Sequence, residues 1–381
     1  MNCFMMKRIR RIWAIYSLLL YLLLPQFVNA AENSSTDQDR AMERSAEMPG
    51  RPPRWIPFPV IASSPETGLM LGGMLFYFFP VTQPEQQAST VDLMAYGTTK
   101  GQYSFSLTPN IFLNNGLYRL NATLYDDFWR ANYYPIGNDS PDLAEKYDST
   151  TIGVKCTVER RIFETYLVDF IARYETVKMD VEAGGLLATG NVFGSTDGEY
   201  AGIGLALGYD SRDNTNAPAQ GVLARYEYVN YNQGVGSDLD FSVQTADLRY
   251  YLKTVWLQDS VLAFAAQLRI SNGDVPFRQL STPDGTLILR GIEAGRYRDK
   301  DMLAVQSEWR FPIKAKFSGT VFAEAAQVAP TPSDFAVADF KTSLGVGLRY
   351  ALNPEERFNI RADIAWVDDG IGAILNIREA F

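Results

Sequence analysis

Phe358-Asn359-Ile360-Arg361-Ala362-Asp363-Ile364-Ala365-Trp366 alternates between apolar and polar residues. Phe358, Ile360, Ala362, Ile364 and Trp366 share one side, while Asn359, Arg361 and Asp363 share the other. Successive side chains in a strand point to opposite faces, so this stretch reads as a strand with one apolar and one charged face. The pattern recurs upstream. Leu303, Val305, Trp309 and Phe311 oppose Gln306, Glu308 and Arg310. Leu262, Phe264, Leu268 and Ile270 oppose Gln267 and Arg269. Tyr166, Val168, Phe170 and Tyr174 oppose Asp169, Arg173 and Glu175. From about Trp55 onward no useful length shows helical period, and Gly, Asn, Asp and Pro separate the alternating segments.

A soluble sandwich would alternate too, with its apolar face inward. Three features favour a transmembrane antiparallel β-barrel instead. The charged faces mix both signs, as a wet lumen would. Tyr226, Tyr228, Tyr231, Tyr250, Tyr251, Trp309 and Trp366 lie near strand ends, as an interfacial girdle does. The chain ends on Phe381, read as closing an apolar strand face with Leu375 and Ile377. Composition agrees. Aromatics reach 13% of the 381 residues, yet mean hydropathy is -0.13, too polar for a bundle of membrane helices. Lys+Arg total 35 against Asp+Glu 44, a net charge of -9, which argues against a nucleic-acid partner. There is no His, so a Ser-His-Asp triad and His-ligated metals are excluded. No catalytic, metal or cofactor site is expected, and the chain is not read as an enzyme. Asp210, Arg212 and Asp213 cluster, but Asn214, Asn216, Pro218 and Gly221 beside them mark a turn.

Lys7, Arg8, Arg10 and Arg11 precede an uncharged run from Ile12 to Leu24, and Val28-Asn29-Ala30 offers small residues for cleavage. Residues 1–30 are therefore expected to be a signal peptide. Residues 31–54 are expected to form a flexible periplasmic leader, and 55–381 the barrel domain. The run is shorter than the ~20 residues that a helical span needs. About fifteen clear strand segments emerge, with a long loop at 272–299. Single-chain bacterial barrels have even strand numbers. A weak first strand within 54–63 therefore completes an expected sixteen, with Pro57 and Pro59 suiting a sheet edge. Ile152, Val154, Cys156 and Val158 form one apolar face, which places Cys156 toward lipid.

Several motifs, in order, resemble the bacterial surface antigen family, the superfamily of the BamA and TamA assembly factors and the two-partner-secretion transporters. They are Pro65-Glu66-Thr67-Gly68, the run GIGLALGYDSRDNTNAPAQG at 202–221, and LRGIEAGRYRDK at 289–300. Glu308-Trp309-Arg310-Phe311-Pro312, Phe322-Ala323-Glu324-Ala325-Ala326, Gly345-Val346-Gly347-Leu348-Arg349 and the terminal Arg-Glu-Ala-Phe follow. The resemblance covers about residues 55 to 381. It implies a sixteen-stranded barrel whose sixth outer loop folds into the lumen. It also implies that Arg290, followed by Gly291, pairs with acids on the inner wall. Glu308 and Glu324 are those acids, with Arg310 beside them. Two departures stand out: Ile292 occupies an aromatic position, and Phe322-x-Glu324-x-Ala326 replaces Phe-x-Asp-x-Gly.

The short leader has no room for the periplasmic repeats of the family's assembly factors, so the chain resembles a barrel-only branch. The function implied is aid to insertion or export of outer-membrane or secreted clients through a gated seam or lumen. The alternative is a passive pore, or a structural barrel docking another periplasmic component. The implied partners are outer-membrane lipid, a protein client or periplasmic partner, and the barrel-assembly machinery during biogenesis. Leu375, Ile377 and Phe381 would form the C-terminal insertion signal that this machinery reads.

Overall fold

The computed structural model describes residues 52–64, 67–82, 87–368 and 370–381. The expected signal peptide and residues 31–51 of the leader lie outside them, as do Pro65 and Glu66. The described chain is one sixteen-stranded antiparallel sheet in sequence order. Its strands are β1 (Arg54–Ser64), β2 (Gly68–Phe78), β3 (Thr90–Thr98), β4 (Tyr103–Leu113), β5 (Tyr118–Tyr133), β6 (Glu145–Ile162), β7 (Tyr166–Val181) and β8 (Gly198–Asp210). They continue as β9 (Gly221–Tyr231), β10 (Phe241–Lys253), β11 (Val261–Gly273), β12 (Asp301–Lys314), β13 (Phe317–Ala329), β14 (Lys341–Asn353), β15 (Phe358–Val367) and β16 (Gly370–Ile377). Strand alternation becomes two-sided burial. Leu344, Ile364 and Trp366 are exposed, while Ser343, Arg361 and Asp363 beside them are fully buried. Apolar outside and charged inside suits only a sheet whose outer surface meets lipid.

The connections sort by end. Turns at 114–117, 163–165, 315–316 and 354–357 lie at one end, and loops at 134–144, 182–197, 274–300 and 330–340 at the other. Short periplasmic turns and long outer loops give the chain its direction. In the three-residue turn at 163–165, Phe163 and Glu164 both take positive φ (49° and 64°), the left-handed backbone common in tight hairpin turns.

Four sequence expectations change. β5 and β6 extend beyond the 117–128 and 149–160 that the alternation suggests, pairing from Tyr118↔Arg160 to Tyr133↔Glu145. Adjacent Asp126 and Asp127 break the pattern on paper. In the fold, Tyr103 and Ser104 of β4 donate hydroxyl bonds to them at 3.2 and 2.5 Å. Tyr231 and Tyr251 are not girdle residues: they share parity with Val229 and Arg249 and are buried inward, whereas Tyr226, Tyr228 and Tyr250 are exposed. Phe358 is buried as well. A register shift between Ala351 and Asn353 turns it from the apolar face onto Phe76, whose ring centre is 4.9 Å away. Finally, β16 ends at Ile377, because Arg378 takes φ +62° and turns the chain inward.

The first and last strands meet differently from all others. Every consecutive pair is hydrogen-bonded, but no ladder joins β1 to β16 among the described residues. The β1–β2 register runs unbroken from Arg54↔Phe78 to Ser64↔Gly68. Pro57 and Pro59 lie two apart, so their nitrogens face the same edge. A continuous β2 ladder places that edge away from β2, toward where β16 would pair. Proline cannot donate there.

Cys156 is half-buried, on the parity of exposed Ile152 and Val158. Lipid should cover it. A charged maleimide is expected not to label it in native membranes and to label it fully after denaturation. Fast native labelling would place it in contact with water.

Candidate functional site

The β11–β12 connection brings Arg290 against four strands. Leu289 and Gly291 flank it with φ of 54° and 96°, a sharp turn that presents its side chain. Arg290 has no exposed surface. Its Nε donates to Glu324 Oε1 at 2.7 Å, and its backbone N–H donates to Glu324 Oε2 at 2.6 Å. Nη2 lies 2.7 Å from Glu308 Oε1, and Nη1 is 3.0 Å from Asp363 Oδ2. The Ser343 hydroxyl donates to its carbonyl at 2.6 Å, and the guanidinium stacks on the Phe322 ring at 3.4 Å. Burial alone would lower the Arg290 pKa, but Glu308, Glu324 and Asp363 raise it above the ordinary arginine value.

The network continues. Glu308 also accepts from Arg310 at 2.7 Å. Asp363 accepts from Arg361 at 3.1 Å and Arg349 at 2.5 Å. Arg349 reaches Glu379 at 2.8 Å, and Asn359 donates to the same carboxylate at 2.8 Å. Arginines 290, 310, 349 and 361 thus alternate with Glu308, Glu324, Asp363 and Glu379, so the charges cancel. Burying this many charges is tolerable only because each has an opposite partner.

The sequence departures have structural counterparts. The longer Glu324 side chain spans both the side chain and the backbone of Arg290. Ala326 packs with Leu289 and Ala304, and Ile292 joins Ile288 against the buried cluster of Tyr297, Met302 and Val328. Asp363, Arg349, Ser343 and Glu379 were not assigned from sequence. Their signal was there: Arg361 and Asp363 share the charged face of β15, and Gly345-x-Gly347-x-Arg349 keeps one parity.

Leu375 lies outward and exposed, and Ile377 is half-buried. Phe381 corrects the expected arrangement. It is buried inward with Tyr251, Val261, Ala263 and Ala265, and its main-chain carboxylate oxygen accepts from Arg310 at 3.0 Å. Four residues past Gly-x-Gly-rich β16, the inward turn removes it from the lipid face. The Asp210 cluster is a turn. Arg212 grips Asp210 with 2.8 and 2.9 Å bonds. Asp213 caps the N–H groups of Ala219 and Gln220 and accepts from Arg357 at 2.7 Å. Burial would raise the Asp213 pKa, but these donors hold it below the usual carboxylate value.

Fold and alternation define an outer-membrane β-barrel. A profile of the Omp85 superfamily domain matches residues 89–373, and the chain belongs to that superfamily. Its members are insertion and transport factors of the Gram-negative outer membrane, where this protein resides. Among solved structures, BamA from Haemophilus ducreyi lacking POTRA domains 1-3 is similar at 15% identity and a TM-score of 0.56, over 86% of this chain and 69% of that one. CdiB from Acinetobacter baumannii is similar at 12% identity and 0.53, over 85% of this chain and 59% of that one.

With partners fully buried, Arg290→Ala is expected to cost about 3–5 kcal/mol, since it leaves Glu324 buried without a cation and removes one from Glu308 and Asp363. Arg290→Lys is expected to recover only part, because an ammonium cannot fork between them. Urea titration of the folded barrel in detergent, read by heat-modifiable mobility, measures both. A loss within about 0.5 kcal/mol for Arg290→Ala, the range of ordinary surface changes, would contradict the burial argument.

Proposed function

We propose that this protein is an assembly or translocation barrel that admits clients at the seam between β1 and β16. The observation that carries the reading is the missing ladder at that seam alone. An unpaired strand edge is a template for another strand. The prolines of β1 leave donors missing on that edge, so a client strand pairs more readily with β16. The seam is held instead by side chains. Arg378, just past β16, donates to Asp92 of β3 at 3.0 Å, and Phe358 packs with Phe76 and Phe78. The Arg290 network forms the fixed side, anchoring the β11–β12 connection to β12, β13, β14 and β15.

A disulfide between cysteines placed on β1 and β16, in a Cys156→Ser background, tests this. Locking the seam is expected to abolish client crosslinking in cells, and reductant should restore it. Client capture that survives the lock would overturn the seam. Bilayer recordings separate the passive-pore alternative: a gated barrel gives small erratic openings, whereas a large steady conductance, unaffected by the lock, supports the pore.

A further inference from the structure

A cavity of about 520 Å³ lies between the β11–β12 connection and the inner faces of β5, β6, β7, β10 and β11. None of the acids that hold Arg290 lines it. Its own acids are engaged. Arg249 takes Asp247 at 2.6 Å. Glu175 accepts from the Tyr125 hydroxyl and the Gln279 amide, both at 2.8 Å. Asp127 accepts from Ser104, and Asp284 caps the N–H groups of Thr286, Leu287 and Ile288.

The cations are not so placed. Lys155, Arg269 and Arg278 line the cavity, and none has a carboxylate at ion-pairing distance among the described residues. Lys155 faces the Tyr125 ring at 5.4 Å, and Arg269 spends one nitrogen on the Gln279 carbonyl at 2.8 Å. Arg269 Nε, Arg278 Nη1 and the hydroxyl of Thr151 are buried without a partner. Thr151 is 2% exposed, and with Arg278 it also lines an adjoining cavity of about 280 Å³. Every buried, unpartnered polar atom of the larger cavity can therefore donate, and what the cavity lacks is an acceptor. A buried donor without one has lost its hydration with nothing in return, at greater cost when it is charged.

We propose that Lys155, Arg269, Arg278 and Thr151 form a binding site for a phosphate group inside the barrel. Phosphate offers several acceptor oxygens and up to two charges, matching the unpartnered guanidinium nitrogens of Arg269 and Arg278, an ammonium and a hydroxyl. A carboxylate offers only two oxygens and one charge, so it satisfies fewer of these donors. This site is independent of the seam, and its occupancy does not depend on a client.

Isothermal calorimetry of the full chain in nanodiscs tests it, with inorganic phosphate titrated at constant ionic strength against chloride. Saturable phosphate binding is expected, about tenfold tighter than acetate, a difference near 1.4 kcal/mol. Arg278→Gln and Lys155→Gln should each weaken it about tenfold. Heat-modifiable mobility verifies folding, and neither residue touches the Arg290 network. Absence of saturation in the unaltered protein, equal affinity for acetate, or unchanged affinity in both folded variants would overturn the site.

Discussion

A guanidinium withdrawn completely from water is the constraint around which the barrel's second half is built. Desolvating one ion costs several kcal/mol even after relaxation. Arg290 recovers this from acids on three different strands, Glu308 on β12, Glu324 on β13 and Asp363 on β15, with Ser343 of β14 closing its carbonyl. No single strand can supply that set. A one-residue slip of any of them would turn its member to the lipid face. The ion cluster therefore specifies register as much as it stabilises.

Room for the arginine comes from missing side chains. Glu308, Phe322, Gly345, Ala365 and Gly372 are successive register partners across β12 to β16. A Cβ on Gly345 would strike the Phe322 ring that supports the guanidinium. A Cβ on Gly347 would strike Asp363 and Arg349. Gly372 faces Gly291 so closely that a side chain on either would meet the other strand or loop. The Gly-Val-Gly-Leu-Arg sequence of β14 is thus a shape requirement: two vacant positions, then the arginine that one of them admits.

Most of the strand plan was legible because period two is enforced at every lipid-facing position. Where reading failed, a second constraint had overridden the first. Asp126 and Asp127 interrupt the alternation until β4 supplies hydroxyls for both. Phe358 keeps apolar parity in sequence but loses it to the register shift at Ala351/Asn353. Phe381 looks like the last residue of a strand because the sequence does not show the left-handed turn at Arg378. Of the ion cluster, Arg290, Glu308, Arg310 and Glu324 followed from motif resemblance. Asp363 and Arg349 needed the three-dimensional meeting of strands, and Glu379 needed the inward tail.

That tail links the ion cluster to the open edge. Arg349 joins Asp363 on one side to Glu379 on the other, so the loop arginine and the last residues share one chain of charges. β16 is consequently held from within, by Gly372 against Gly291 and by Glu379 against Arg349, and along one edge by eight register pairs to β15. Among the described residues its other edge has no ladder. Peeling β16 from β15 would break backbone hydrogen bonds worth about 0.5–1.5 kcal/mol each, together with the buried tail. Parting it from β1 breaks the Arg378–Asp92 pair, whose arginine side chain is 41% exposed. Such a pair is worth roughly 0–1 kcal/mol. The apolar contacts of Phe358 with Phe76 and Phe78 add to it, but they too are confined to one end of the strands. On the proposed reading, the boundary between the first and last strands is therefore the one that would part first.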